Sequence, residues 1–239
     1  MRLLVALGVL SLALATACKP APGGKCDRGE ARCLDASRQL VCDDGIFVEV
    51  PCRGKGGCVT VQEATTCDIS RNQAGDRCGK VDEGAAICAG DKAMLACHSG
   101  KFEEVACLGP RGCELASGKA NCDQSIARAG DGCSQDNAKA CSADGSRVLA
   151  CKLGRMSELY ECRGESKCKS ESGKLTCDQT VAQLGDICDK GLSGHIACSI
   201  DRKSLLKCEA ERFVSSERCK AGTVCTVSGQ ATRCEKPVK

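Results

Sequence analysis

The cysteines constrain this chain more than any other feature. It has 25 of them in 239 residues, and once Cys18 is set aside the remainder falls into four sets of six. The first copy holds Cys26, Cys33, Cys42, Cys52, Cys58 and Cys67; the second Cys78, Cys88, Cys97, Cys107, Cys113 and Cys122. The third holds Cys133, Cys141, Cys151, Cys162, Cys168 and Cys177; the fourth Cys188, Cys198, Cys208, Cys219, Cys225 and Cys234. With no Trp, one Tyr and three Phe, the chain lacks the large side chains of one sizeable core, so cross-links must replace what small modules cannot bury. Such density argues for a disulfide scaffold and an oxidising compartment. The fold class expected is small disulfide-rich β modules: a tandem array of four six-cysteine repeats, with short β-hairpins and little helix, over residues 26–67, 78–122, 133–177 and 188–234.

Some spacings are fixed and others drift. The fourth-to-fifth step is six residues and the fifth-to-sixth nine in every copy, whereas the first-to-second step runs from seven to ten. Insertions concentrate in exposed loops, which predicts an exposed first loop and a geometrically fixed C-terminal half. Each sixth Cys is followed eleven residues later by the next first Cys. These connectors share an Asp directly after the Cys (Asp68, Asp123, Asp178) and a Gly seven residues on (Gly75, Gly130, Gly185). Asp suits a helix N-cap and Gly the position past a C-terminus, so the connectors read either as short helices or as irregular turns.

Two hairpins are expected per module. A Leu two residues before the third Cys and a Phe or Met five after it recur as Leu40 and Phe47, Leu95 and Phe102, Leu149 and Met156, Leu206 and Phe213. Turn residues lie between them, except that Glu211 stands where the others have Gly. The recurring apolar pair predicts a small core. Ser117 with Gly118, and Ser172 with Gly173, lie midway between fifth and sixth Cys and set Cys113 opposite Cys122 and Cys168 opposite Cys177. In copy four Ser228 and Gly229 are off centre, and copy one shows no such turn. Directly opposed non-hydrogen-bonded positions, about 4.5 Å apart at Cα, suit a disulfide, which favours fifth-to-sixth bridges while leaving all fifteen connectivities open.

The N-terminus supplies an address. Met1 and Arg2 are followed by an apolar stretch over residues 3–14 and small residues before Cys18, which reads as a signal peptide over residues 1–17. Cleavage of either the ordinary or the lipoprotein kind would fall at the same bond, and the odd cysteine decides for acylation of Cys18, with a tether over residues 18–25. The run Leu14, Ala15, Thr16, Ala17, Cys18 resembles the lipobox of bacterial lipoproteins, with Ala15 where that motif most often has Leu. The nine-residue final step resembles the close of an EGF-like module, although here five residues separate the fourth and fifth Cys. The stretch from Cys42 and Gly45 to Cys52, closing at Cys67 and Asp68, faintly resembles the chitin-binding peritrophin type, which implies sugar recognition by exposed aromatics. As a whole the chain resembles bacterial surface lipoproteins built from cysteine-rich repeats, of the myxobacterial kind. That resemblance implies an envelope protein anchored at the outer membrane or cell surface, or on the periplasmic side.

Catalytic chemistry is not expected. The two histidines, His98 and His195, stand at non-equivalent positions, and no C-x-x-C occurs, so neither a repeated nucleophile, a redox motif nor a metal site is read; no cofactor is implied. The glycine run at Gly54, Gly56 and Gly57 lies between two cysteines, not before a helix. Net charge of +3 spread along the chain argues against nucleic acid. The function expected is a non-enzymatic, membrane-anchored structural or binding array, its partners the membrane through the lipid and a protein or glycan surface. The alternatives are a carbohydrate-binding repeat protein and a tandem protease inhibitor. The inhibitor reading rests on the basic residues between fourth and fifth Cys: Arg53 and Lys55, Arg111, Arg163 and Lys167, and Lys220.

Overall fold

The structure, a computed structural model, describes residues 19–79, 82–133, 135–171, 173–229 and 231–237. The signal segment, Cys18 and Ser172 lie outside the described residues.

Each module is a three-stranded antiparallel meander followed by a two-stranded closing hairpin. The meanders comprise Ala31–Asp35, Arg38–Asp43 and Ile46–Pro51 in module one, and Ala86–Cys88, Ala93–His98 and Lys101–Ala106 in module two. In module three they comprise Lys139–Ser142, Arg147–Lys152 and Arg155–Glu161, and in module four Ile196–Ser199, Ser204–Glu209 and Arg212–Arg218. A 3-10 turn spans Lys190–Leu192 in module four.

The central hairpin forms where the Leu-Cys-turn-Phe pattern puts it. The third Cys directly opposes the Phe or Met in all four copies: Cys42 and Phe47, Cys97 and Phe102, Cys151 and Met156, Cys208 and Phe213. These positions and their Leu partners are buried, Leu40 and Phe213 completely. The two-residue turn between the strands needs positive φ at both positions. Module four meets that demand without glycine, through Ala210 at 47° and Glu211 at 62°.

The closing hairpins Cys58–Val61 with Ala64–Cys67, Cys113–Ala116 with Lys119–Cys122, Cys168–Glu171 with Lys174–Cys177, and Val224–Ser228 with Ala231–Glu235 share one register. Fifth and sixth Cys oppose each other in every copy. Module one has this hairpin too, although no turn motif was legible there. Gln62 and Glu63 take positive φ of 47° and 71°. In module four Ser228 opposes Ala231 as Ala116 opposes Lys119 in module two, so the turn keeps its place and the cysteine register although the Ser-Gly pair is displaced by one residue.

The favoured fifth-to-sixth bridge is corrected. In each module the first Cys bonds the third, the second the fifth and the fourth the sixth: in module two, Cys78 to Cys97, Cys88 to Cys113 and Cys107 to Cys122. All twelve bridges close within one repeat. The physical reason lies in the hairpin itself. Opposed residues of an antiparallel pair share a face, and a lone two-stranded hairpin is only marginally stable in water. It docks that face on the meander, where each of its two cysteines meets a partner. The fixed spacing also has its explanation, because the fourth-to-sixth bridge spans 15 residues in every copy.

The connectors contain no helix. Their Asp forms an Asx turn, the carboxylate of Asp68, Asp123 or Asp178 accepting from the N–H two residues on. Their Gly closes a four-residue turn in which Asp76 N donates to Gln73 O, Asp131 N to Arg128 O and Asp186 N to Gln183 O. Gly75 has φ of 88° there, the value a type II turn asks of its third residue. Helix caps and these turns use the same residues, and one turn of helix is too short to hold itself. In modules three and four the middle of the connector becomes a short parallel strand: Ile126–Ala127 pairs with Cys141 and Ser142, and Val181–Ala182 with Cys198 and Ser199. Ala127 and Ala182 are buried in the core of the module that follows. Each of these connectors is therefore a strand of the next module.

The expected tether follows the same path. Gly24 N donates to Ala21 O, closing a turn around Pro22 and Gly23, and Gly23 N and Gly24 O bond Phe47 as Gly75 and Asp76 bond Phe102. Residues 21–25 are thus laid against module one.

Candidate binding surface

What the array can present depends on what its joints consume. At the base of each of the first three modules one aspartate does two tasks. Asp178 Oδ1 accepts from Thr180 N and from Thr180 Oγ1, launching the connector, while Oδ2 accepts from Ser166 N at 3.0 Å inside the fourth-to-fifth loop. Its main chain completes the latch: Gly164 N donates to Asp178 O and Asp178 N to Lys167 O, both 2.9 Å. Asp68 and Asp123 repeat the arrangement with Gly56 N and Arg111 N as loop donors. Burial alone would raise the Asp178 and Asp123 carboxyls, but the convergent donors outweigh it and hold both below the ordinary Asp value. The close approach dictates a glycine opposite. A Cβ on Gly164 would lie 2.0 Å from Asp178 Cγ, and on Gly54 2.0 Å from Asp68 Cγ. Module four has Ala221 at this place and Glu235 in place of the Asp.

The basic residues singled out from the sequence separate into two groups. Arg53 donates from Nε and Nη2 to Asp76 of the next module at 2.7 and 2.9 Å. Arg163 Nε repeats this with Asp186 at 2.9 Å. Arg111, 65% exposed, lies within 3.8 Å of Glu114 and 3.6 Å of Asp123. Lys55, Lys167 and Lys220 point from exposed positions.

The joint between modules three and four has additional contacts. Tyr160 OH donates to Asp189 Oδ2 at 2.6 Å, and Lys139 Nζ sits 3.1 Å from the same oxygen and 5.5 Å from the Tyr160 ring centre. The Tyr160 hydrogen bond, with help from Gly191 N, holds Asp189 down at about 2 against the cost of burial. Burial, then Asp189 itself, pushes the phenol well above its ordinary range. The buried Gln179 bridges the modules as well, donating to Glu161 O and Ile187 O and accepting from Asp189 N.

Sequence reading missed these joints. Comparison of copies holds two signals for them. An Asp stands two residues before the next first Cys in all three connectors (Asp76, Asp131, Asp186) and an Arg directly after the fourth Cys in modules one and three, and a Gly two after the fourth Cys occurs where an Asp follows the sixth. Tyr160 stands where modules one and two have the buried Val50 and Val105, while module four has an exposed Glu217.

What remains for a partner is the set of first-to-second loops, largely exposed and differing in length and sequence, together with the hairpin tips. The three Phe side chains and Tyr160 are buried, so none offers an exposed ring for stacking on a sugar. His98, at the end of its strand, is exposed beside Glu83, 3.3 Å from its carboxylate, and His195 is half-buried in a loop of module four. Among the described residues no three His, Cys, Asp or Glu side chains converge as metal ligands. In comparisons with protein-family models, curated proteins and solved structures, nothing matches the chain. The disulfide content assigns the modules to an oxidising, extracellular or secreted environment.

Proposed function

We propose that this protein is a lipid-anchored, non-enzymatic binding array of the cell envelope, in which a constant disulfide frame displays loops that differ from module to module. The observation that carries the reading is the construction of the joints. Each connector has its Asp latched into the preceding module, and those entering modules three and four are also strands of the module that follows, which holds neighbouring loops in fixed relation. Several weak contacts made at once then raise overall affinity by about 10²–10⁴ without a stronger single contact. The inhibitor alternative is less favoured because the Arg53 and Arg163 side chains are engaged across joints and the loops that bear them curl around an aspartate. A protease bait loop must instead stand free.

Acylation at Cys18 would place the membrane close to module one. Residues 18–20 are all that separate it from the docked segment, a reach of at most about 10 Å. Four modules of about 25 Å each would then project on the order of 100 Å. Crosslinking on intact cells followed by mass spectrometry tests the reading by naming the partner and its contact sites. Chains ended after Thr180, Ser125 or Ser70 keep each latch intact and should capture that partner in graded steps. Complete loss at one step would assign binding to a single module, and stoichiometric inhibition of trypsin by the oxidised protein would replace the array with the inhibitor.

A further inference from the structure

In every module the loop after the fourth Cys is pinned by two backbone bonds to the turn between the first two meander strands. In module four Cys219 N donates to Lys203 O at 2.8 Å and Cys225 N to Arg202 O at 2.7 Å. These bonds set Arg202 and Lys203 beside Arg218 and Lys220, which flank Cys219, and all four residues are exposed. Arg218 also opposes Ser204, the residue after Lys203. The other modules differ in charge here. The residues flanking the fourth Cys are Pro51 and Arg53, Ala106 and Leu108, and Glu161 and Arg163. Arg53 and Arg163 pair with Asp76 and Asp186 of the next module, and Glu161 pairs with Arg147. At the turn, module two has Asp91 beside Lys92, and modules one and three have no charge. Module four thus gathers four cations where its predecessors balance theirs. The nearby carboxylates are otherwise engaged or turned away. Asp201 accepts from Ser199 Oγ at 2.6 Å and Lys203 N at 3.0 Å, and Glu235 is held by Thr226 and Arg233. Glu217 opposes Leu205, on the other face of the sheet from Arg218. Lys236, also exposed, stands where module three has Gln179, whose amide reaches Glu161 O.

We propose that this end of module four binds an acidic polysaccharide, a polymer bearing carboxylate or phosphate groups at regular intervals. Like charges gathered on neighbouring segments repel one another, and a polyanion relieves that repulsion while releasing its own counterions. A second copy of the chain does not supply the anion, because module one has Gly24 where the later modules have Asp76, Asp131 and Asp186. The cations stand at the surface on separate segments, so they read repeated charge along a polymer and not one enclosed group. Phe213, the sole Phe, Tyr or Trp of module four, is completely buried, which leaves no ring on which a nucleobase could stack. The oxidising, extracellular or secreted environment that the disulfides assign is also where acidic polysaccharides coat surfaces. The proposal deepens the binding-array reading by naming a ligand for one module, and it can fail while the array still captures another partner through its loops.

Binding of the oxidised full chain carrying Cys18→Ala to immobilised polysaccharides tests it. The probes are polygalacturonate, a carboxylate polymer, phosphomannan, a phosphate polymer, and neutral dextran as the reference. At least one acidic polymer should bind and dextran should not, and raising salt from about 50 to about 200 mM should weaken binding by about tenfold or more. Which of the two binds more tightly assigns the anionic group. Arg218→Glu with Lys220→Leu, which copy module three's Glu161 and module two's Leu108, should weaken binding by about tenfold or more. Lys101→Glu with Lys119→Ala removes the same net charge from exposed positions of module two and should leave the affinity within about twofold, since distant exposed charges are screened. Failure of both acidic polymers to bind, or equal losses from the two pairs of substitutions, overturns the proposal. Poly-glutamate or duplex DNA bound more tightly than both polysaccharides at the same ionic strength also overturns it, because the site then belongs to an acidic protein or a nucleic acid.

Discussion

Modules three and four close with the same 15-residue disulfide and the same opposed cysteines, yet different groups hold the loop inside. In module three Asp178 grips it through Ser166 N and Gly164 N. In module four Thr223 N and Oγ1 bond Lys220 O, and Glu235 turns instead to Thr226 and Arg233. The cross-link fixes the size of the loop, and the aspartate matters where a connector leaves. One carboxylate joins the closing of a module to the start of the next.

The comparison breaks most severely at the shared element. Replacing Cys162 and Cys177 with Ser should destabilise module three by about 3 kcal/mol, and replacing Cys219 and Cys234 should cost module four a similar amount; differential scanning calorimetry measures both. Gly164→Ala comes next. Its methyl group meets the Asp178 carboxyl, so a loss of about 1–3 kcal/mol is expected, whereas Ala221→Gly in module four should change stability by less than about 1 kcal/mol. Asp178→Ala should cost about 1–2 kcal/mol through the lost turn and loop acceptors, and should raise hydrogen exchange in Val181–Ala182 of the following module as well as in its own loop.

Acid acts on the latches in the same direction. Because Asp123, Asp178 and Asp189 titrate lower in the folded chain than in the unfolded one, where the Asp value is near 3.8, their contribution is complete above that value and declines as pH falls through the folded values, about 2 for Asp189. Thermal unfolding followed between pH 6 and pH 2 should show Tm falling mainly at the acid end, and Tyr160→Phe should move the Asp189 part of the loss to higher pH. The smallest effect belongs to the module-four turn. Glu211→Gly relieves a left-handed glutamate at the cost of a more flexible unfolded chain, for a net gain of roughly 0.5 kcal/mol.

Much of this architecture was legible in the cysteine spacing, because a fixed step is what a bridge across a fixed register leaves in sequence. The central hairpin was legible for a similar reason: Leu40, Cys42 and Phe47 sit at offsets that a two-residue turn brings together, and the pattern repeats. Connectivity was not legible, since the opposition of Cys113 and Cys122 is local whereas their bonding depends on where the hairpin docks. The connectors stayed undecided in the sequence because Asp123 and Gly130 serve a helix or a pair of turns equally well. The choice between them is made by Ala127, which finds a core to enter. The joints were hidden because Arg53 and Asp76, 23 residues apart, belong to different repeats, and reading within a repeat never places them side by side.

The pairing of cysteines within each module is the claim on which the rest stands, and non-reducing tryptic mapping tests it most directly. Cleavage after Arg111 and Lys119 separates Cys107, Cys113 and Cys122 onto different peptides. The structure requires the Cys122 peptide to be linked to that of Cys107, and the Cys113 peptide to that of Cys88, with the same pattern in modules three and four, whose fifth and sixth cysteines trypsin also separates. A Cys113 peptide joined to Cys122, or abundant bridges between modules, would contradict the account.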